Sequence, residues 1–148
     1  MKRAARLISV LLVLSLIVAI PAQAAEQETA QTRGSAYFSY YSTWLHKTSS
    51  TSFEVWFDVD SNLERMLELG VSEIKVYRSS DQENWFKIKT YTKSVYSNMT
   101  AENAITHEGC VNYDIASPGY YYRAYVTFYS RNSNGFGERY VYTGILHM

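Results

Sequence analysis

From Phe53 to Asp60 the chain alternates without a break: Phe53, Val55, Phe57 and Val59 are apolar, and Glu54, Trp56, Asp58 and Asp60 stand between them. A period of two sends successive side chains to opposite faces of an extended backbone, so this segment predicts a strand with one buried and one wet face. Such a strand needs neighbours in a sheet and a second layer over its apolar side, and the rest of the chain has to supply both.

Other segments repeat the pattern. Ile74 and Val76 alternate with Glu73, Lys75 and Tyr77, and Trp85 to Thr92 returns after the polar loop Ser79–Asn84. Val111, Tyr113 and Ile115 alternate with Asn112 and Asp114, Pro118-Gly119 makes a turn, Tyr120 to Tyr129 is the longest strand, and Glu138 to Ile145 is the last. The run from Ala36 to Leu45 is strand-like but aromatic on both faces, which leaves its register open, and residues 93–109 carry no clear pattern. Ser61 followed by Glu64 reads as a capping box. With Leu63, Met66 and Leu67 on one face and Gly70 as a left-handed stop, it predicts a short helix over residues 62–69. Seven or so short strands with one helical crossover give an all-β class and a two-sheet sandwich.

The first residues predict an export signal. Lys2, Arg3 and Arg6 precede the apolar run Leu7–Ile20, and Ala22-Gln23-Ala24 is a small-x-small cleavage site. The run is shorter than the roughly 20 residues a membrane-spanning helix needs. The expected organisation is therefore a signal peptide at 1–24, a polar leader at 25–33 and one domain at 34–148, secreted and without stable membrane insertion. Loss of the three basic signal residues leaves eleven Lys and Arg against fourteen Asp and Glu, a net charge of −3. That balance argues against nucleic acid as partner, because phosphate binding needs a concentrated basic surface. All fourteen tyrosines follow the signal, which favours pleated strands. Cys110 is the single cysteine, so no internal disulfide forms and the core alone must hold the fold.

The segment Pro118-Gly119-Tyr120-Tyr121-Tyr122-Arg123-Ala124-Tyr125-Val126 resembles the turn into strand F of fibronectin type III and other immunoglobulin-like domains. The resemblance implies a tyrosine corner at Tyr122, whose hydroxyl ties back to the preceding chain. Asn132 to Gly137 is similar to the F–G turn of that group, and Arg78 to Trp85 resembles its C–C′ hairpin. The likeness covers roughly residues 50–145, and the whole chain is also similar to small exported proteins of Gram-positive bacteria without assigned activity. What it implies is an immunoglobulin-like fold used for binding or spacing.

If Tyr122, Ala124, Val126 and Phe128 point inward, then Tyr121, Arg123, Tyr125, Thr127 and Tyr129 point outward. Lys75, Tyr77, Tyr140 and Tyr142 would join them on neighbouring strands. Tyr77, Tyr121, Arg123, Tyr125, Tyr129, Tyr140 and Tyr142 thus form a candidate binding face for a protein or a cell-surface glycan, since tyrosine combines apolar area, low side-chain entropy and a hydroxyl. The plainer reading is that cross-strand aromatic pairs stabilise an exposed sheet by about 0.2–1 kcal/mol each. Self-association into an envelope structure is the alternative use of the same face.

Signs of catalysis or of a cofactor are weak. No nucleophile elbow, His-Glu-x-x-His or glycine-rich phosphate loop occurs. Cys110 with His107 three residues earlier is the remaining nucleophile–base pair; a deep pocket around both would favour a secreted hydrolase. Asp58 to Glu64 begins like a calcium loop but has Leu63 where glycine belongs and Leu69 where the bidentate glutamate belongs. His46, His107 and His147 share no metal-ligand spacing, and Asn98-Met99-Thr100 matches a glycosylation acceptor. The expectation is a non-enzymatic protein without metal or cofactor.

Overall fold

The computed structural model describes residues 37–62 and 64–148. The expected signal peptide, the leader, Ala36 and Leu63 lie outside them. The described residues form nine strands: β1 (Tyr40–Lys47), β2 (Phe53–Asp60), β3 (Met66–Ser79), β4 (Phe86–Thr92), β5 (Thr100–Ala104), β6 (Thr106–Tyr113), β7 (Tyr121–Asn132), β8 (Gly135–Tyr142) and β9 (Leu146–His147). One 3₁₀ turn, Ser97–Met99, precedes β5.

All pairings are antiparallel. A three-stranded sheet runs β1-β2-β6, and a second runs β4-β3-β7-β8, with β5 added to β3 and β9 to β7. The long β3 lies along β7 from Glu68 to Ser79. Its opposite edge is shared, β5 taking Met66–Gly70 and β4 taking Glu73–Arg78.

The two sheets face each other across one core. The alternation of β2 is realised in full, with Phe53, Val55, Phe57 and Val59 at 0% exposure. From the larger sheet Leu69, Val71, Ile74, Val76, Tyr122, Ala124, Val126 and Phe128 meet them, also fully buried. Aromatic contacts cross the gap: Phe53 lies 5.1 Å from Tyr122 and Tyr41 lies 5.2 Å from Phe128, centroid to centroid. Burying this much apolar side chain, at about 1.5–3 kcal/mol for each large residue, is what stabilises a domain without a disulfide.

The Tyr122 hydroxyl accepts a bond from the Ser117 N–H at 2.7 Å, tying the start of β7 back across the Pro118-Gly119 turn. At the far end of β7 a two-residue turn, Ser133-Asn134, returns the chain into β8, and Asn134 N–H bonds Asn132 Oδ1 at 2.9 Å. Both turns follow the sequence expectation.

Where a helix is expected over 62–69, the structure has strand from Met66 on, and Leu63 lies outside the described residues. Met66 to Gly70 pair with β5 on one edge, and from Glu68 onward the segment also pairs with β7. A helix of two turns is marginal in water, and two ladders of backbone bonds outweigh a four-residue apolar pattern that fits either structure. Ser61 does not cap an N-terminus; its hydroxyl donates to the Glu64 carbonyl at 2.6 Å. Gly70 is a strand residue with φ +150°, and a Cβ built there would lie 2.2 Å from the Met99 carbonyl oxygen. It is glycine so that β5 and the 3₁₀ turn can come close.

Ile115 also departs from expectation. The strand stops at Tyr113, Ile115 is 76% exposed, and Ala116 takes the buried place while its N–H bonds Thr51 O at 2.8 Å. Residues 93–109, which had no clear period, supply the 3₁₀ turn, all of β5 and the start of β6.

Candidate functional site

On the outer face of the larger sheet the register fixes which side chains meet. Tyr125 lies opposite Lys75 on one side and Tyr142 on the other; Arg123 lies opposite Tyr77, which in turn faces Lys87. Tyr121, Arg123, Tyr125 and Tyr129 are all half-buried, pointing away from the core as the alternation of β7 requires. Thr127, between them, is covered. Tyr140 and Tyr142 are exposed by 56% and 45%.

The rings form contacts rather than isolated patches. Tyr125 stacks on Tyr140 at 5.9 Å and 9°, and tilts against Tyr142 at 4.7 Å. Tyr77 approaches Tyr142 at 6.4 Å, Tyr129 stacks on Phe136 at 6.0 Å, and Tyr121 stacks on His147 at 4.6 Å. All seven expected residues therefore share one face, but Tyr121 sits at its end, against β9.

Cations are threaded among these rings. The Arg123 guanidinium lies 4.1 Å from the Trp85 ring and 4.5 Å from the Tyr142 ring. Lys93 Nζ sits 3.7 Å above Tyr129, and Lys75 Nζ is 6.0 Å from Tyr125. Each such contact is worth about 0.5–2 kcal/mol, more as water is excluded. Lys75 also pairs with Glu73 at 2.6 Å, and Lys93 with Glu68 at 2.8 Å. The Tyr140 hydroxyl donates to Glu138 at 2.7 Å, and that bond raises its pKa above the phenol's ordinary value.

Trp85, Phe136 and Lys93 extend the face beyond the expected residues. Trp85 is held by its loop. The Asp81 carboxylate accepts from Ser79 Oγ and from the Glu83 and Asn84 N–H groups, and Trp85 Nε1 donates to Gln82 O at 2.9 Å. These bonds, led by those from Asn84, hold the Asp81 carboxyl well below the usual range. A serine, an aspartate and an asparagine at this spacing signal an ordered turn; which ring the turn delivers, and where, depends on the β3–β4 register.

The smaller sheet has a different outer face. Trp44 and Trp56 stack at 6.0 Å and 11°, with Trp56 Nε1 donating to Glu54 at 2.7 Å. Asp58 lies opposite Glu108 on this face and two residues from Asp60. Burial, then these two carboxylates, raises the Asp58 pKa. Of the acidic positions read from the sequence as a broken calcium loop, Asp58 and Asp60 thus lie along β2, and Glu64 follows it in the connection to β3. Among the described residues no group of three or more His, Cys, Asp or Glu is arranged to hold a metal ion.

Cys110 and His107 are not partners. Cys110 lies opposite Trp56 on the outer face, whereas His107 lies opposite the buried Val59, with its ring 5.5 Å from Phe57 and Nε2 3.0 Å from Asn98 O. Burial, then Glu54, pushes the Cys110 thiol up, away from the thiolate a nucleophile needs. An open cleft of about 600 Å³ between β4 and β6 is lined in part by Cys110, Tyr91, Tyr96 and Asp114, without His107. Beside it, Asn98 Nδ2 donates to Cys110 O at 3.0 Å and Tyr91 OH to Asn112 O at 2.6 Å, both on the free edge of β6. The amide of the glycosylation acceptor is therefore engaged in the fold. His46 and His147 are exposed.

No protein-family model matches the chain, and no curated protein matches it at a significant level. Among the described residues, no helix is long and apolar enough to cross a membrane.

Proposed function

We propose that this is a secreted, non-enzymatic binding module with an immunoglobulin-like or fibronectin type III-like fold, which contacts a protein or glycan at or outside the cell surface. The ligand surface is the outer face of the larger sheet, carried by Tyr77, Arg123, Tyr125, Tyr129, Tyr140 and Tyr142. The observation that carries the reading is the continuity of that face: Tyr77, Tyr142, Tyr125 and Tyr140 touch in series while Tyr140 and Tyr142 stay about half exposed. Rings already ordered by their neighbours lose little side-chain entropy on binding, which is how tyrosine-rich surfaces gain affinity. The bond from Ser117 N–H to the Tyr122 hydroxyl supports the family likeness. The upward push of burial on the Cys110 thiol and its separation from His107 speak against hydrolysis.

The test is retention of the purified protein on cell-wall fractions and a glycan array, beside a Tyr125→Ser/Tyr142→Ser variant checked for an unchanged fold by near-ultraviolet circular dichroism. Retention lost by the folded variant supports the reading. Retention equal in both proteins, or concentration-dependent dimers that the variant abolishes, would move function off this face or turn it to self-association.

A further inference from the structure

We propose that the occupant of the tyrosine face is an anionic glycan, with its carboxylate, sulfate or phosphate group seated between Arg123 and Lys87 and its sugar rings lying on Tyr77, Tyr125 and Tyr142; this rests on the binding face argued above. Arg123 is the centre of this site. Two rings at 4.1 and 4.5 Å hold its guanidinium, so its planar fork is fixed before any ligand arrives. Among the described residues it has no ion pair, and its buried Nε has no hydrogen-bond partner. That Nε has lost water without gaining an acceptor, which is costly, and no side-chain bond from the rest of this half-buried guanidinium is present among the described residues, so an anion beside it would bring the acceptor its fork lacks.

The local charge agrees. Across the sheet, Tyr77 stands between Arg123 on β7 and Lys87 on β4, and among the described residues neither cation is paired with a carboxylate. The other cations of the face, Lys75, Lys93 and Arg131, already pair with Glu73 or Glu68. A protein partner fits less well. The centre of a protein interface is depleted in charged residues, whereas here cations lie between the rings throughout. A hydroxyl-rich chain with repeated negative groups meets both the rings and the cations.

The experiment compares three immobilised polymers, polygalacturonate, dextran sulfate and neutral dextran, with the wild-type protein and Arg123→Gln, Lys87→Gln, Arg123→Lys and Tyr125→Ser, each first shown to melt cooperatively. Retention on at least one anionic polymer but not on dextran is expected. Arg123→Gln should weaken it about tenfold or more, Lys87→Gln about three- to tenfold, and Arg123→Lys should restore only part, since the ammonium lacks the fork. Lys87 is exposed, so its variant stays informative even if Arg123→Gln fails to fold. Equal retention on dextran, with Arg123→Gln and Lys87→Gln silent and Tyr125→Ser damaging, overturns the anion assignment and leaves the tyrosine face standing. Anion retention indifferent to all four substitutions overturns both, and retention on none of the polymers overturns the anion assignment. Retention on a cell-surface protein that the anionic polymers do not displace assigns the face to a protein and overturns the glycan.

Discussion

Replacing Gly70 by alanine tests the segment where strand took the place of a helix. An alanine Cβ at φ +150° would stand 2.2 Å from the Met99 carbonyl oxygen, 2.8 Å from Thr100 Cα and 3.0 Å from His107 Cδ2. Two of these three are backbone atoms of the strand that pairs with it or of the turn before that strand, and they move only if the β3–β5 pairing moves. The conformation itself costs about 1–3 kcal/mol for a residue with a side chain. Overpacking adds about 1–3 kcal/mol, giving roughly 2–6 kcal/mol in all. A domain slightly above 100 residues shifts its melting point by about 4 °C for each kcal/mol, so a fall of at least about 8 °C is expected.

Gly119→Ala is the control: φ there is +81°, but nothing lies within 4 Å of the added carbon. It should cost only the left-handed strain, about 1–2 kcal/mol. Melts followed by far-ultraviolet circular dichroism give both numbers, and amide exchange across Thr100–Ala104 should quicken in the Gly70 variant alone. If Gly70→Ala loses no more than Gly119→Ala, the close approach of β5 is not what requires glycine. A cost near 1 kcal/mol is what a helix stop would show.

Three further outcomes are expected. Tyr122→Phe should cost about 1–3 kcal/mol, because the partly buried Ser117 N–H loses its acceptor; an unchanged melting point would show that water replaces the hydroxyl at no cost. Tyr91→Phe should cost about 0.5–1.5 kcal/mol by freeing the Asn112 carbonyl, read by denaturant melts, and a fully neutral result would mean that the clasp between the sheets contributes nothing. Asp58→Asn should raise the melting point at neutral pH. The folded pKa of Asp58 is raised, so its favourable contribution is complete below the unfolded value of 3.8 and is lost as pH rises through the folded value. The variant's advantage should therefore vanish in acid, and an advantage independent of pH would refute the electrostatic cause.

What could be read in advance followed from residues whose chemistry admits one outcome. The apolar positions of β2 and β7 were legible because they fit only a period of two over eight residues or more. The bond to the Tyr122 hydroxyl was legible because a proline-glycine turn precedes a tyrosine at a fixed offset. Residues 66–69 were not, since four apolar-rich residues suit a helix turn and a strand equally and only pairing with β5 and β7 decides between them. β5 and the start of β6 are edge segments with few buried side chains, so they left almost no apolar period to read. The alternation put Arg123 and Lys75 among the outward tyrosines, but not the ring contacts of the cations: Arg123 meets Trp85 through a loop, and Lys93 reaches Tyr129 across the sheet. The Trp44–Trp56 stack was hidden because β1 is aromatic on both sides and its register was open.

The capped edge of β6 bears on how copies of the protein behave when crowded. A free strand edge invites another chain to zip along it without limit, which is the route to fibres. Here Asn98 and Tyr91 already occupy the carbonyls of Cys110 and Asn112, two neighbouring rungs in the C-terminal half of that edge. Association along this flank must begin by displacing both side chains. Open-ended growth through the β6 edge is thereby disfavoured.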